Sequence, residues 1–205
     1  MESERRLWNC LLFAVLLLLL AFVSGGCAAD TYTVCSSGCD HTSIQAAIDA
    51  AKAGDSIIVR DGTYTENVEV NVSNITLRSE HGAAFTTVVA ALNTRDVFLV
   101  TANSVTITGF TVRNATLMSG IYLEFVHHCT VSGNNASGNY HGIDLYSSSN
   151  NNLAGNIANA NNYHGIFLYD SSGNTLTDNI ASNNDYGIFL YDSSTNNLTG
   201  NIALN

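Results

Sequence analysis

Permanent positive charge is what this chain has least of. Seven Lys and Arg stand against 17 Asp and Glu, a formal net charge of −10, and all seven lie at or before Arg113. A nucleic acid or an anionic membrane surface requires a basic face, so both are excluded as partners. From Asn114 onward no Lys or Arg is at hand for any chemistry on the repeats. Proline is absent, and beyond the leader helical patterning is confined to one short stretch. Nothing among the 205 residues, rich in Gly, Asn, Ser and Thr, marks a second domain. Such a composition suits a single solenoid.

What is present is repetition. Setting Gly120, Gly142, Gly165 and Gly187 in one column aligns GIYLEFV, GIDLYSS, GIFLYDS and GIFLYDS, at spacings of 22, 23 and 22 residues. A fixed period in this range without internal helical pattern signals stacked coils. Ile121, Ile143, Ile166 and Ile188 share the next column, and Leu123, Leu145, Leu168 and Leu190 the one two places on. That period of two is what a half-buried strand requires. Val131, Leu153, Leu176 and Leu198 mark a second strand, and Asn134, Asn156, Asn179 and Asn201 a bend. An asparagine column at a bend predicts a ladder of side-chain amides bonded from coil to coil.

The run GIFLYDSSGNTLTDNIASNN from Gly165 to Asn184, its copy from Gly187, and SIQAAIDAAKAGDSIIVRDGTYTENVEV from Ser43 to Val70 resemble the pectin-lyase-like right-handed parallel β-helix. Within that superfamily they resemble the short NosD-like, or carbohydrate-binding-and-sugar-hydrolysis, repeats of prokaryotic surface proteins. The resemblance implies an all-β fold of three short strands per coil with an N-terminal capping helix, and it is weak for chemistry because the superfamily spans enzymes, adhesins and spacers. About six coils of about 22 residues are expected from residue 57 to residue 205. The chain stops in mid-coil at Ile202 to Asn205, which reads as a truncated array.

Residues 1–29 read as a secretory leader: Arg5 and Arg6 precede an apolar run from Leu7 to Val23, then Ser24-Gly25-Gly26-Cys27-Ala28-Ala29. Cleavage after Ala29 is the first reading; an uncleaved hydrophobic leader helix as membrane anchor and a lipoprotein site at Cys27 are the others. Residues 30–56 form the cap, with an amphipathic helix over 43–53 carried by Ile44, Ala47, Ile48 and Ala51 behind a Thr42-Ser43 N-cap. Cys35 and Cys39 bracket a small loop, read as a disulfide in preference to a metal site lacking a second pair. Cys129 falls in a strand column otherwise occupied by Asn and is read as a buried thiol. Sequons stand at Asn71, Asn74, Asn114, Asn135 and Asn197, each a glycan acceptor in an exported chain. Ser79 to Ala84 and Ala90 to Arg95 are loops interrupting the repeat, where a site would be built.

Outward strand positions carry the chemistry. Tyr122, Asp144, Phe167 and Phe189 form one column, and Glu124, Tyr146, Tyr169 and Tyr191 the next. Exposed aromatic rows suit stacking on sugar rings; as a ladder alone they stabilise neighbouring strands by about 0.2–1 kcal/mol per pair. His141, Asp144 and His164 are the candidate proton-transfer group at the edge of that face. His141 to Asp144 faintly resembles part of an epimerase signature whose Pro-His-Asp run this proline-free chain lacks. No cofactor is called for. Of metal chemistries, Asp170 and Asp192 offer Ca²⁺ two carboxylates between coils, and His127 and His128 offer copper two imidazoles. The sequence therefore reads as an exported, non-catalytic surface β-helix, structural or glycan-binding, partnered by extracellular polysaccharide and by further β-helix repeats or envelope proteins. The alternatives are an enzyme on acidic polysaccharide, of epimerase, lyase or hydrolase type, and a NosD-like periplasmic copper handler.

Overall fold

The computed structural model describes residues 28–204. The leader, with its cleavage, anchor and lipoprotein readings, lies outside the described residues apart from Ala28 and Ala29. Among the described residues no helix is long and apolar enough to cross a membrane.

The chain winds as a solenoid of about seven turns whose strands all pair in parallel. The first face holds eight strands in chain order: β1 (Thr31–Val34), β2 (Ser56–Val59), β5 (Thr76–Ser79), β8 (Thr106–Thr108), β11 (Thr130–Ser132), β13 (Asn152–Ala154), β15 (Thr175–Thr177) and β17 (Asn197–Thr199). The second face is β3 (Gly62–Thr65), β6 (Thr86–Val89) and β9 (Thr111–Arg113), continued by single bridges through Asn135, Ile157, Ile180 and Ile202. The third face holds β4 (Val68–Val70), β7 (Phe98–Val100), β10 (Ser119–Glu124), β12 (His141–Tyr146), β14 (His164–Tyr169) and β16 (Tyr186–Tyr191). The expected six coils become seven because the early turns carry loops of unequal length, which hide their period from a column alignment.

The repeat columns map onto this register. Ile121, Ile143, Ile166 and Ile188 are direct partners, as are Leu123, Leu145, Leu168 and Leu190. These apolar columns fill the lumen, which continues upstream through Phe98 and Phe110, packed edge to face at 5.4 Å. Helix α1 spans Ile44–Ala50, shorter than the 43–53 expected because Ala51 turns extended at φ −72°, ψ 155°. Ser43 Oγ accepts from Ala46 N–H, while the Glu66 carboxylate accepts from the N–H groups of Ile44 and Gln45, so the free amides of the first turn are satisfied. Ile44, Ala47 and Ile48 close the end of the lumen, which would otherwise face water. A corner at Glu66–Asn67 separates β3 from β4. Cys35 and Cys39 are disulfide-bonded.

The asparagine ladder exists. Asn134 Nδ2 donates to Asn156 Oδ1 at 3.2 Å, Asn156 to Asn179 at 2.9 Å and Asn179 to Asn201 at 2.9 Å, each amide also donating to a carbonyl of the preceding coil. Three further side-chain columns do similar work: Asn139, Asn161 and Asn184; Asn151, Asn174 and Asn196; and Ser148, Ser171 and Ser193. Buried polar groups are tolerable when such a network pairs them, and among the asparagines of these columns Asn161 is the exception, its Nδ2 being buried without a partner. Cys129 heads the second of these columns just before β11, not within a strand. Its N–H donates to Asn151 Oδ1, and burial raises the pKa of its thiol.

Candidate functional site

The third face is flanked by two loops. The loop from Ala90 to Val97 is fastened by Asn67, whose Nδ2 donates to the carbonyls of Leu92, Arg95 and Asp96 while its Oδ1 accepts from Leu92 N–H. The loop from Asn114 to Met118 is tied to it through Asn93 Nδ2 to Thr116 Oγ1 at 3.0 Å and Leu117 N–H to Asn93 O at 3.1 Å. Between them lie two hollows that share Asp96 and Met118. One, of about 330 Å³, runs from Asn67 and Glu69 past Arg95 to Leu99. The other, of about 230 Å³, reaches Tyr122, Tyr140, His141 and Asp144. Together they make a groove across β4, β7, β10 and β12, with walls already held in place.

Register explains its floor. Glu69, Leu99, Tyr122 and Asp144 are successive direct partners along one outward column. Asp96 reaches the same spot from its loop: it accepts from Ser119 N–H at 2.7 Å, while Ser119 Oγ donates to Asp144 Oδ2 at 3.4 Å. Two carboxyl groups thus meet at one serine, largely shielded from water. Burial first, then the Asp96 charge, pushes the Asp144 pKa up to about 7 against the Ser119 hydrogen bond, and burial likewise raises Asp96. Burial, with Asp144 and Glu124 nearby, also makes the Tyr122 hydroxyl harder to ionise.

His141 and Asp144 come to this hollow together, but no hydrogen bond joins them. His164 is stacked flat on His141 at 4.8 Å and 14°, behind it, only 2% exposed among Tyr163, Phe167, Tyr186 and Phe189. Neither ring nitrogen of His164 has a partner, nor does Nδ1 of His141. Burial, and secondarily His164, lowers the His141 pKa to about 4; burial lowers that of His164, which Asp185 partly opposes.

The aromatic rows stand in register, with their rings turned along the solenoid. Tyr146, Tyr169 and Tyr191 stack on one another at 5.2 Å with interplanar angles of 7° and 10°, and Phe167 on Phe189 at 5.7 Å and 19°. Phe125, which the sequence did not single out, seals Tyr146 edge-on. Most of the flat faces are therefore spent on neighbouring rings, and what points outward is rims and hydroxyls. Of the six aromatics named from sequence, Tyr122 is the one that lines the groove.

The candidate metal ligands stay apart. His127 and His128 are exposed on a turn with ring centroids 6.5 Å apart. Asp170 and Asp192 are exposed at φ 48° in each case, the left-handed conformation that Asp tolerates at a turn, which accounts for their shared column. Among the described residues one group of three metal-type donors converges, Asp61, Glu80 and His81, on the upstream coils and exposed; Glu80 and His81 lie in the loop at residues 79–84 marked from sequence, while Asp61 joins them from the turn of the coil before. Of the sequons, Asn71, Asn74, Asn114 and Asn197 are exposed, whereas Asn135 is half-buried and accepts from Ser137 Oγ.

The sequence profile described as "Periplasmic copper-binding protein (NosD)" matches residues 48–205. The chain belongs to the NosD family. A cell surface glycoprotein of Methanothermus fervidus is 35% identical over 122 residues, which is 58% of this chain and 20% of that protein. The chain thus spans about a fifth of the length of that curated relative. Among solved structures, a pectate lyase aligns at TM-score 0.69 with 19% identity, covering 82% of this chain and 52% of that one. An alginate lyase from Paenibacillus sp. aligns at 0.70 with 18% identity, covering 85% and 66%. The catalytic domain of an α-1,3-glucanase aligns at 0.62 with 17% identity, covering 86% and 32%. At these identities the likeness is one of fold.

The family description raises copper, and the donors can be tested against it. Copper sites favour converging imidazole and sulfur ligands. Here the Cys129 thiol is buried and donates to the Ala102 carbonyl at 3.5 Å, Met118 sits in the groove wall, and His127 and His128 have no third donor beside them. The one converging set is two carboxylates with a single imidazole already held by Asp61 at 3.0 Å. Among the described residues Asp61, Glu80 and His81 are the one set of three His, Cys, Asp or Glu donors that converges, and Met118 and His141 share the smaller hollow, whose lining holds no further sulfur or imidazole.

Proposed function

We propose that this NosD-family chain is an exported, cell-surface β-helix module that holds polysaccharide, without turning it over, in the groove between the Ala90–Val97 and Asn114–Met118 loops. The observation that carries the reading is that groove: a channel with tied walls in which Leu99, Leu117 and Met118 can meet sugar C–H faces while Ser119, Tyr122 and Asp144 meet hydroxyls. Export is supported by the Cys35–Cys39 disulfide, which persists in oxidising compartments. A surface location is supported by the named relative, a cell surface glycoprotein. Holding rather than turnover is supported by the absence of a hydrogen bond between His141 and Asp144 and by the seclusion of His164. The rest of the third face is then a stiffening ladder beside the groove.

A glycan array tests this with two variants. Tyr122→Ala is expected to weaken retention about tenfold or more, the loss of one well-placed aromatic contact. Tyr169→Ala, whose ring is sandwiched between Tyr146 and Tyr191, is expected to leave retention unchanged and to lower thermal stability instead. An array on which the wild type retains nothing would demote the groove to scaffold.

A further inference from the structure

We infer that the groove selects uncharged saccharides and turns away polyuronates at neutral pH; this rests on the groove reading above and names the ligand class it takes. The argument is one of charge placement. Glu69 and Asp144 stand on the groove floor in one column, separated by Leu99 and Tyr122, and Asp96 reaches the floor from the wall. Glu124, two places beyond Tyr122 on the same strand, adds a further acid outside the lining. Against the three acids of the lining, Glu69, Asp96 and Asp144, there is one cation, Arg95, at the Glu69 end. No Lys or Arg follows Arg113 in the chain, so nothing downstream on this face can balance a ligand carboxylate.

Asp96 and Asp144 already meet at Ser119 with little water to screen them. A uronate carboxylate brought into that hollow meets Glu69 on the floor and the Asp96–Asp144 pair, whose charge it can only add to in a poorly solvated site where repulsion is largest, even though Asp144 is only partly ionised at neutral pH. Sugar hydroxyls face the opposite situation. Carboxylate oxygens accept from them, the Ser119, Tyr122 and Tyr140 hydroxyls can exchange hydrogen bonds with them, and the Leu99 and Leu117 side chains cover the apolar face of a pyranose. The ligand that fits is polyhydroxylated and bears no carboxylate, unlike the substrates named for the pectate and alginate lyases that share the fold.

The test is calorimetric titration of the full chain at neutral pH with hexasaccharides of β-1,3-, α-1,3- and β-1,4-glucan and with hexagalacturonate. At least one neutral oligomer is expected to bind, with hexagalacturonate about tenfold weaker or more. Glu69→Gln, at an exposed position, and separately Asp144→Asn are each expected to narrow that gap. Hexagalacturonate binding as tightly as the best glucan, or a gap unmoved in both variants, would overturn the charge selection while leaving the groove reading standing. Binding by neither class would remove the groove reading and this inference with it.

Discussion

Gly165→Val is expected to leave the chain without its cooperative fold, seen as insoluble expression or a loss of the urea-unfolding transition. The reason is steric and not one of backbone freedom. A Cβ at Gly165 would lie 2.6 Å from the Gly187 carbonyl oxygen, 2.6 Å from Asn184 Nδ2 and 2.8 Å from Ala181 Cβ. The carbonyl belongs to the next coil and is fixed by a parallel ladder whose strands sit about 4.8 Å apart, so it cannot withdraw. Asn184 cannot swing away either, because its Nδ2 donates to the Ala158 carbonyl and its Oδ1 accepts from Asn161 N–H. Overpacking of this kind costs about 1–3 kcal/mol for a methylene or two in an ordinary core. Here a branched side chain meets a rigid backbone on one side and a buried amide on the other, so the cost exceeds that range. The same crowding recurs at Gly142 and Gly187, which makes the glycine column a packing requirement of the solenoid. Gly165→Val with a wild-type urea midpoint would show that the coils are not stacked as described.

The second large effect is on the pH dependence of stability, where two groups oppose each other. His141 is held at about 4 against an unfolded value of 6.5. Its folded form therefore binds fewer protons than the unfolded chain, and the stability it contributes above pH 6.5 is lost as the pH falls toward 4, by about 3 kcal/mol in all. Asp144 is held at about 7 against 3.8. Its contribution has the opposite sign: full at low pH, it is lost as the pH rises from 3.8 to about 7, by up to about 4 kcal/mol, less whatever partial solvent contact screens away. Between pH 4 and 6.5 the two nearly cancel in the wild type. Asp144→Asn removes one arm, so that variant is expected to melt at a higher temperature than wild type at pH 7 and to lose that advantage steadily on acidification below pH 6.5. Parallel melting-temperature profiles for the two proteins would mean that Asp144 is not buried beside Asp96.

How much of this was legible in the sequence follows from what repeats and what does not. The inward Ile and Leu columns, the Asn134 ladder and the outward aromatic rows all recur in phase, and a recurring column is a statement about register. The glycine column was equally visible, but its reason was not, since a close approach between coils leaves no local signature. The groove was least legible because its parts do not repeat. Asp96 comes from an irregular loop and meets Asp144 through Ser119, and Asn67 holds that loop from the coil before. The loop from Ala90 was marked as a place where a site could be built, yet which strand it would overhang depends on loop lengths that a column alignment discards. Alternation by two told which aromatics point outward and was silent on how their rings turn; Tyr122 differs from Tyr146, Tyr169 and Tyr191 because its register partners are Leu99 and Asp144, which give it no ring to stack on.

The account stands most directly on where a saccharide sits, which hydrogen–deuterium exchange of the full chain, with and without a saturating neutral oligosaccharide, can map. Slowed exchange is predicted for the backbone of the two walls, Asn93 to Asp96 and Leu117 to Ser119, with the turns after Tyr146 and Tyr169 unaffected. Slowing confined to those tyrosine turns, or no slowing at the walls under conditions where binding is measured, would contradict it.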